Sequence, residues 1–199
     1  PWEAKFKINH EDASSYLAAA EYVNQSHADI VHLQHEFGLF GGEWGEYIVP
    51  FVEHLTIPLV TTFHTVLTQP NPKQREITEH IASRSEAIIV MMQQVAETLV
   101  KTYNIPQKKI IVIPHGVPDI PYDQTDTHKR KRKLSDKILL GNINLLDPNK
   151  GIEYALEAIA IIAKKYPNIL YAIIGQTHPD VLQREGEAYR NFLKKRVRE

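Results

Sequence analysis

The chain has 199 residues, 43% of them hydrophobic and 24% charged, ordinary usage for a globular fold that excludes collagen-like repetition and wholesale disorder. Lysine and arginine number 23 against 24 aspartate and glutamate, a formal net charge of -1, so no global field draws the protein to nucleic acid or to an anionic membrane. Cysteine is absent, which removes disulfide scaffolding, thiolate zinc sites and cysteine nucleophiles; the usage fits a reducing compartment, and a cytoplasmic location is expected.

Short apolar, β-rich runs alternate with longer helical patterns along the chain. The pattern predicts a helix over Asp12–Gln25, a strand over Asp29–Gln34, a helix over Glu43–His54 and a strand over Leu59–Phe63. A helix over Gln74–Ser83, a strand over Ala87–Met91, a helix over Gln93–Tyr103 and a strand over Ile110–Ile113 follow. The rhythm breaks over Asp119–Asp136, where Pro121 and several Asp and Thr residues lead into the basic run His128–Lys133 with no apolar periodicity. Residues 119–133 are read as a solvated linker without a function of their own, between domains at 1–118 and 134–199. A strand over Lys137–Gly141, a helix over Gly151–Tyr166, a strand over Leu170–Gly175 and a helix over Pro179–Arg198 complete the pattern. Such alternation is the signature of an α/β fold with Rossmann-like parallel sheets, each strand expected to be buried on both faces. The longest apolar runs, such as Ala158–Ala163, fall far short of the ~20 residues that span a bilayer. The chain opens at Pro1 without an initiator Met and closes on a helical pattern running to Glu199, so a fragment is expected.

In open α/β sheets ligands bind beyond the carboxyl ends of the strands, so the residues just after each strand carry the chemistry. The first strand leads into His35-Glu36-Phe37-Gly38-Leu39-Phe40-Gly41-Gly42, whose glycines either let backbone amides approach a ligand or simply let the chain turn. His32 and His35 do not make a metal pair, because i and i+3 on a strand point to opposite faces. No His-Glu-x-x-His motif occurs and the other histidines lack ligand spacing, so no metal site is expected. The second strand ends in Thr61-Thr62-Phe63-His64-Thr65, which puts an imidazole and two hydroxyls at a strand tip; the histidine there either donates to a sugar hydroxyl or shuttles a proton near neutral pH, or is simply bonded to a neighbouring loop. Pro114-His115-Gly116-Val117-Pro118 makes a stiff exit from the fourth strand, suited to an interdomain crossover or to a site. After the fifth strand, Lys150-Gly151 stands at the start of a strong helix, where backbone amides and the helix dipole favour an anion. No Walker or Gly-x-Gly-x-x-Gly motif is present.

Taken in order, His35–Gly42, His64-Thr65-Val66-Leu67, Pro114–Pro118, Pro148-Asn149-Lys150-Gly151-Ile152-Glu153, Gly175-Gln176-Thr177-His178-Pro179 and Arg184–Arg190 resemble a group within the family 4 glycosyltransferases. The resemblance runs across nearly the whole chain. It implies a GT-B architecture of two Rossmann-like domains, acceptor-side first and nucleotide-sugar donor second, and a retaining reaction that needs no metal and no cofactor. Both domains are then incomplete: the family's opening strands and glycine-rich loop precede Pro1, and the rest of the donor domain follows Glu199.

Carried over by position, His64 resembles the histidine that contacts the donor sugar, and Lys150, with Asn144 and Gly151 in its loop, resembles the lysine site that neutralises the diphosphate. His35, Glu36, Gly38, Gly41 and Gly42 fall on the acceptor or cleft loop, and His115 and Gly116 on the interdomain segment. The sequence departs from the pattern twice. Many relatives carry Arg within Asn142–Leu146, and Asn144 stands where Gly is usual. The paired glutamates that hold the donor sugar are missing from the donor half, and Glu3 and Glu11 share their spacing at the opposite end. The implied function is transfer of a hexose from a nucleotide diphosphate-sugar to a carbohydrate-type acceptor, with the fragment inactive alone. The alternatives are a non-catalytic sugar- or nucleotide-binding module and a GT-B epimerase or phosphorylase.

Overall fold

The computed structural model describes residues 4–198; Glu3, with the two chain ends Pro1 and Glu199, lies outside them. The chain divides into two compact units, Pro1–Pro118 and Asp119–Glu199.

The first unit contains a parallel sheet of β1 (Val31–His35), β2 (Leu59–Phe63), β3 (Ala87–Val90) and β4 (Ile110–Val112), in that spatial order. Its helices are α1 (Ala13–Asn24), α2 (Ile48–His54), α3 (Pro72–Arg84) and α4 (Gln93–Tyr103). Asp12 starts α1 by accepting from the Ser14 N–H at 2.9 Å. Helix α3 starts two residues before the expected Gln74, because Asn71 and Gln74 form a reciprocal capping box and Pro72 pre-sets the first turn. One apolar core joins Leu33, Phe63, Ile88, Val90 and Ile110 of the sheet to Tyr16, Phe51, Ile77, Ile81 and Leu99 of the four helices.

Because consecutive strands are spatial neighbours in one direction, right-handed crossovers put every connecting helix on the same side. The expectation of strands buried on both faces is therefore corrected. On the second face, His32, Gln34 and Ile111 are exposed and Val60, Ala87 and Ile89 half-buried. The expected helix over Glu43–His54 is also shortened. Trp44 and Gly45 have φ of 57° and 80°, a Cβ on Gly45 would stand 2.7 Å from the Phe37 carbonyl oxygen, and the segment forms a 3-10 turn before α2 begins at Ile48.

In the second unit β5 (Ile138–Ile143) pairs in parallel with β6 (Ile169–Ile174). Helix α6 (Ile152–Ala163) precedes β6, and α7 (Pro179–Glu185) and α8 (Ala188–Arg196) follow it. The single helix expected over Pro179–Arg198 is broken where Gly186 adopts φ 61°. Leu146, Ile152, Tyr189 and Leu193 form a small core with Leu156 and Ile173 against it, whereas Ile138, Leu139, Leu140 and Ile143 of β5 stay exposed.

The segment read as an irregular linker contains a helix, α5 (Thr125–Lys131). It has no apolar face to reveal it. Asp126 sits in its first turn and Lys129, Arg130 and Lys131 in its last, the polarity a helix dipole favours, and Lys129 Nζ donates to the Lys137 carbonyl at 2.9 Å. Among the described residues no helix is long and apolar enough to cross a membrane.

Candidate functional site

The tips of β1 and β2 build the first candidate site. The strands run in register with His35 opposite Phe63, and the His64 N–H donates to the His35 carbonyl at 3.0 Å. His64 is thus held at the sheet edge with an exposed side chain, the face alternation placing it with Thr62, Gln34 and His32. Its Nε2 lies 2.7 Å from Gln34 Oε1. The Gln34 amide nitrogen bears on the His32 ring, 3.1 and 3.4 Å from its two nitrogens, and His32 Nε2 lies 2.8 Å from Thr62 Oγ1. This polar ladder links the two strands across the open face of the sheet. Sequence reading did not single out Gln34, whose signal was the alternation of the polar His32 and Gln34 with Val31 and Leu33.

His35 points the other way, fully buried and ringed by Phe37, Phe40 and Phe63 at centroid distances of 5.1, 5.9 and 5.2 Å. Among the described residues neither ring nitrogen has a hydrogen-bond partner. Burial, and secondarily the nearby His64 ring, lower its pKa from 6.5 to about 4. His35 is therefore a neutral core residue and not part of an acceptor-contacting loop surface.

Glu36 fastens the loop that follows. Its Oε1 accepts from the Phe37 N–H at 3.0 Å and its Oε2 from Thr65 Oγ1 at 2.6 Å, which ties the Gly38–Gly42 loop to the residue after His64. Gly41 is buried; its N–H donates to Tyr16 Oη at 2.8 Å, and a Cβ there would sit 1.8 Å from the His10 carbonyl oxygen. Its role is close backbone packing. Gly38 and Gly42 are exposed, and a Cβ on Gly38 would meet nothing within 4 Å. His115 and Gly116 lie on an exposed segment outside regular secondary structure.

The second candidate site is built from the β5–α6 connection. Leu146 bridges to Thr177, receives support from the Gln176 carbonyl at 2.8 Å and accepts from the His178 N–H at 3.0 Å, which anchors the loop to the tip of β6. Asp147 accepts from the Asn149 N–H at 2.8 Å and closes a 3-10 turn over Pro148–Lys150. Gly151, at φ 61°, redirects the chain into α6, and the buried Ile152 locks the helix start. Gly151 supplies no side-chain cap and the Tyr154 N–H donates to the Gly151 carbonyl at 3.2 Å, so of the first-turn amides of α6 those of Ile152 and Glu153 face an incoming anion beside the exposed Lys150, which makes no ion pair among the described residues. Asn144 is exposed, and its backbone takes the close contact that Gly175 permits: a Cβ on Gly175 would stand 1.8 Å from the Asn144 carbonyl oxygen. Glu153, in the first turn of α6, accepts from Tyr189 Oη at 2.6 Å; burial, and then Glu153, push the Tyr189 hydroxyl pKa up.

Two Rossmann-like units with strand-tip sites define the class: the fold is that of the GT-B glycosyltransferases. Residues 3–119 match Glycosyltransferase Family 4, and residues 123–198 match Glycosyl transferases group 1. The chain belongs to glycosyltransferase family 4. Comparison with curated protein sequences finds no match. Among solved structures the chain is similar to a glycosyltransferase from Rickettsia africae ESF-5, at 19% identity and a TM-score of 0.62 over 98% of this chain and 51% of that one. It is similar to Anabaena HepE in complex with UDP and glucose, at 13% identity and a TM-score of 0.67 over 93% and 48%. A UDP-forming trehalose-phosphate synthase from Burkholderia xenovorans aligns at 12% identity and a TM-score of 0.64 over 96% and 50%. The chain therefore spans about half the length of these relatives, and identities this low speak for the fold alone.

Proposed function

We propose that this chain is part of a retaining glycosyltransferase that moves a hexose from a nucleoside diphosphate sugar to a carbohydrate or related acceptor. The observation that carries the reading is that both units match glycosyltransferase families while His64 at a strand tip and Lys150 at a helix start stand exposed at positions suited to a donor. Solved relatives with UDP and with UDP and glucose bound support a nucleoside diphosphate sugar as donor class.

Departure of the leaving group builds negative charge on the diphosphate while the sugar becomes oxocarbenium-like. Lys150 and the open amides at the start of α6 meet that charge in place of a metal. His64 contacts the donor sugar near the reacting carbon, and the loop from Glu36 to Gly42 lies on the acceptor side. The first unit thus acts as the acceptor-side domain and the second as the donor domain. A cytoplasmic location completes the reading.

The test is release of nucleoside diphosphate by the complete protein when offered a panel of nucleoside diphosphate hexoses with and without carbohydrate acceptors. Donor-dependent release stimulated by an acceptor supports the proposal. Saturable donor binding with no turnover under any acceptor would move the protein to the non-catalytic binding reading.

A further inference from the structure

His64 is exposed, yet among the described residues only one of its ring nitrogens has a partner, the Gln34 side-chain amide at 2.7 Å. An amide has an acceptor end and a donor end, so the end that faces an imidazole decides which nitrogen of that ring carries the proton. The orientation of Gln34 follows from its other neighbour. Its second amide atom lies nearly equidistant from both nitrogens of His32, at 3.1 and 3.4 Å, and so bears on the ring rather than on one lone pair. The electron-rich ring face attracts an N–H and repels a carbonyl oxygen. His32 is itself fixed by Thr62 Oγ1 at 2.8 Å, and Thr62 is buried. The amide oxygen of Gln34 is thereby turned toward His64.

We infer that Gln34 is a positioning residue for His64: its amide oxygen holds the ring in the Nε2–H form and leaves Nδ1 as the lone-pair nitrogen. The ladder Thr62–His32–Gln34–His64 then does for an exposed strand-tip imidazole what a buried carboxylate does in a catalytic triad, fixing the tautomer and ring rotation without adding charge. This deepens the donor-sugar role proposed for His64 and rests on it for its catalytic consequence, whereas the tautomer itself is independent of that role.

The experiment has two readouts. In the 15N-histidine-labelled chain above the titration range of imidazole, two-bond 1H–15N correlations report the His64 tautomer. We expect a single Nε2–H pattern, shifting toward a two-tautomer average in Gln34→Met, which keeps the length of the side chain and removes the acceptor. In the complete protein, Gln34→Met is expected to lower kcat on the order of 10- to 100-fold with little change in donor KM, and Gln34→Glu, which keeps an acceptor oxygen, to recover most of it. An Nδ1–H pattern in the wild type, or a pattern unmoved by Gln34→Met, overturns the inference. If Gln34→Met shifts the tautomer but His64→Ala leaves turnover unchanged, the inference stands and the catalytic role of His64 falls.

Discussion

Acidification tests the buried His35 most sharply. In the folded protein the ring is enclosed by three phenylalanines without a hydrogen-bond partner among the described residues, and its pKa lies at about 4 against 6.5 for the exposed group. The unfolded chain therefore binds a proton that the folded chain refuses, and stability from this group is complete above pH 6.5 and lost progressively as the pH falls toward 4. The shift corresponds to roughly 3 kcal/mol in full, of which about 2.5 kcal/mol is lost by pH 4.5. Urea unfolding followed by tryptophan fluorescence isolates the first unit, because the two tryptophans fall at Trp2 and Trp44. Asp12 and Glu46, held low by Ser14 and Lys73 respectively, also cost stability on acidification, so wild type is compared with His35→Leu at each pH. The carboxylate effects cancel in the difference, and the variant should gain about 2.5 kcal/mol on the wild type between pH 7.5 and pH 4.5. A difference that stays constant with pH would refute the enclosure of a neutral ring.

Three further outcomes follow from the sites. Gly41→Ala, whose Cβ would stand 1.8 Å from the His10 carbonyl oxygen, should destabilise the first unit by about 1–3 kcal/mol in the same unfolding assay, while Gly38→Ala, with nothing within 4 Å, should stay within about 0.5 kcal/mol. Lys150→Ala in the complete protein should weaken donor binding by up to about fivefold in titration calorimetry, as an exposed charge worth about 1 kcal/mol would, and lower turnover further, because charge on the leaving diphosphate grows in the transition state. His64→Ala should reduce kcat by roughly 10²–10⁴-fold and donor KM much less in steady-state kinetics; lost stability with normal turnover would make the residue structural.

Local signals and long-range ones divided cleanly in this chain. Strand β2 was legible to the residue, because Leu59–Phe63 is a run of apolar and β-branched residues stopped by Pro58 and by His64. The position of His64 at a strand tip followed from that alone. The ladder through Gln34 did not, since it depends on the register that sets Gln34 opposite Thr62, and register is a property of two strands. The burial of His35 was half legible: alternation put it opposite His32, but only the packing of Phe37 and Phe40 from the following loop shows that the ring is enclosed. The partial exposure of the second face of the first sheet follows from strand order, which no local pattern carries. Helix α5 was hidden because its stability comes from charges at its ends, and the break at Gly186 because apolar spacing continues on both sides of it. In the second unit the helix start behind Lys150 was read from composition, while the anchoring of its loop through Leu146 and Thr177 required the fold.

The central claim is retaining hexosyl transfer, and the anomeric configuration of the first-formed product tests it most directly. The complete protein is supplied with an α-linked nucleoside diphosphate hexose and an acceptor that supports release, and the new glycosidic bond is read by 1H NMR before any mutarotation of hydrolysed sugar. The account predicts an α-linked product, formed without added divalent metal. A β-linked product, or release of nucleoside diphosphate with no sugar transferred to any acceptor, would contradict it.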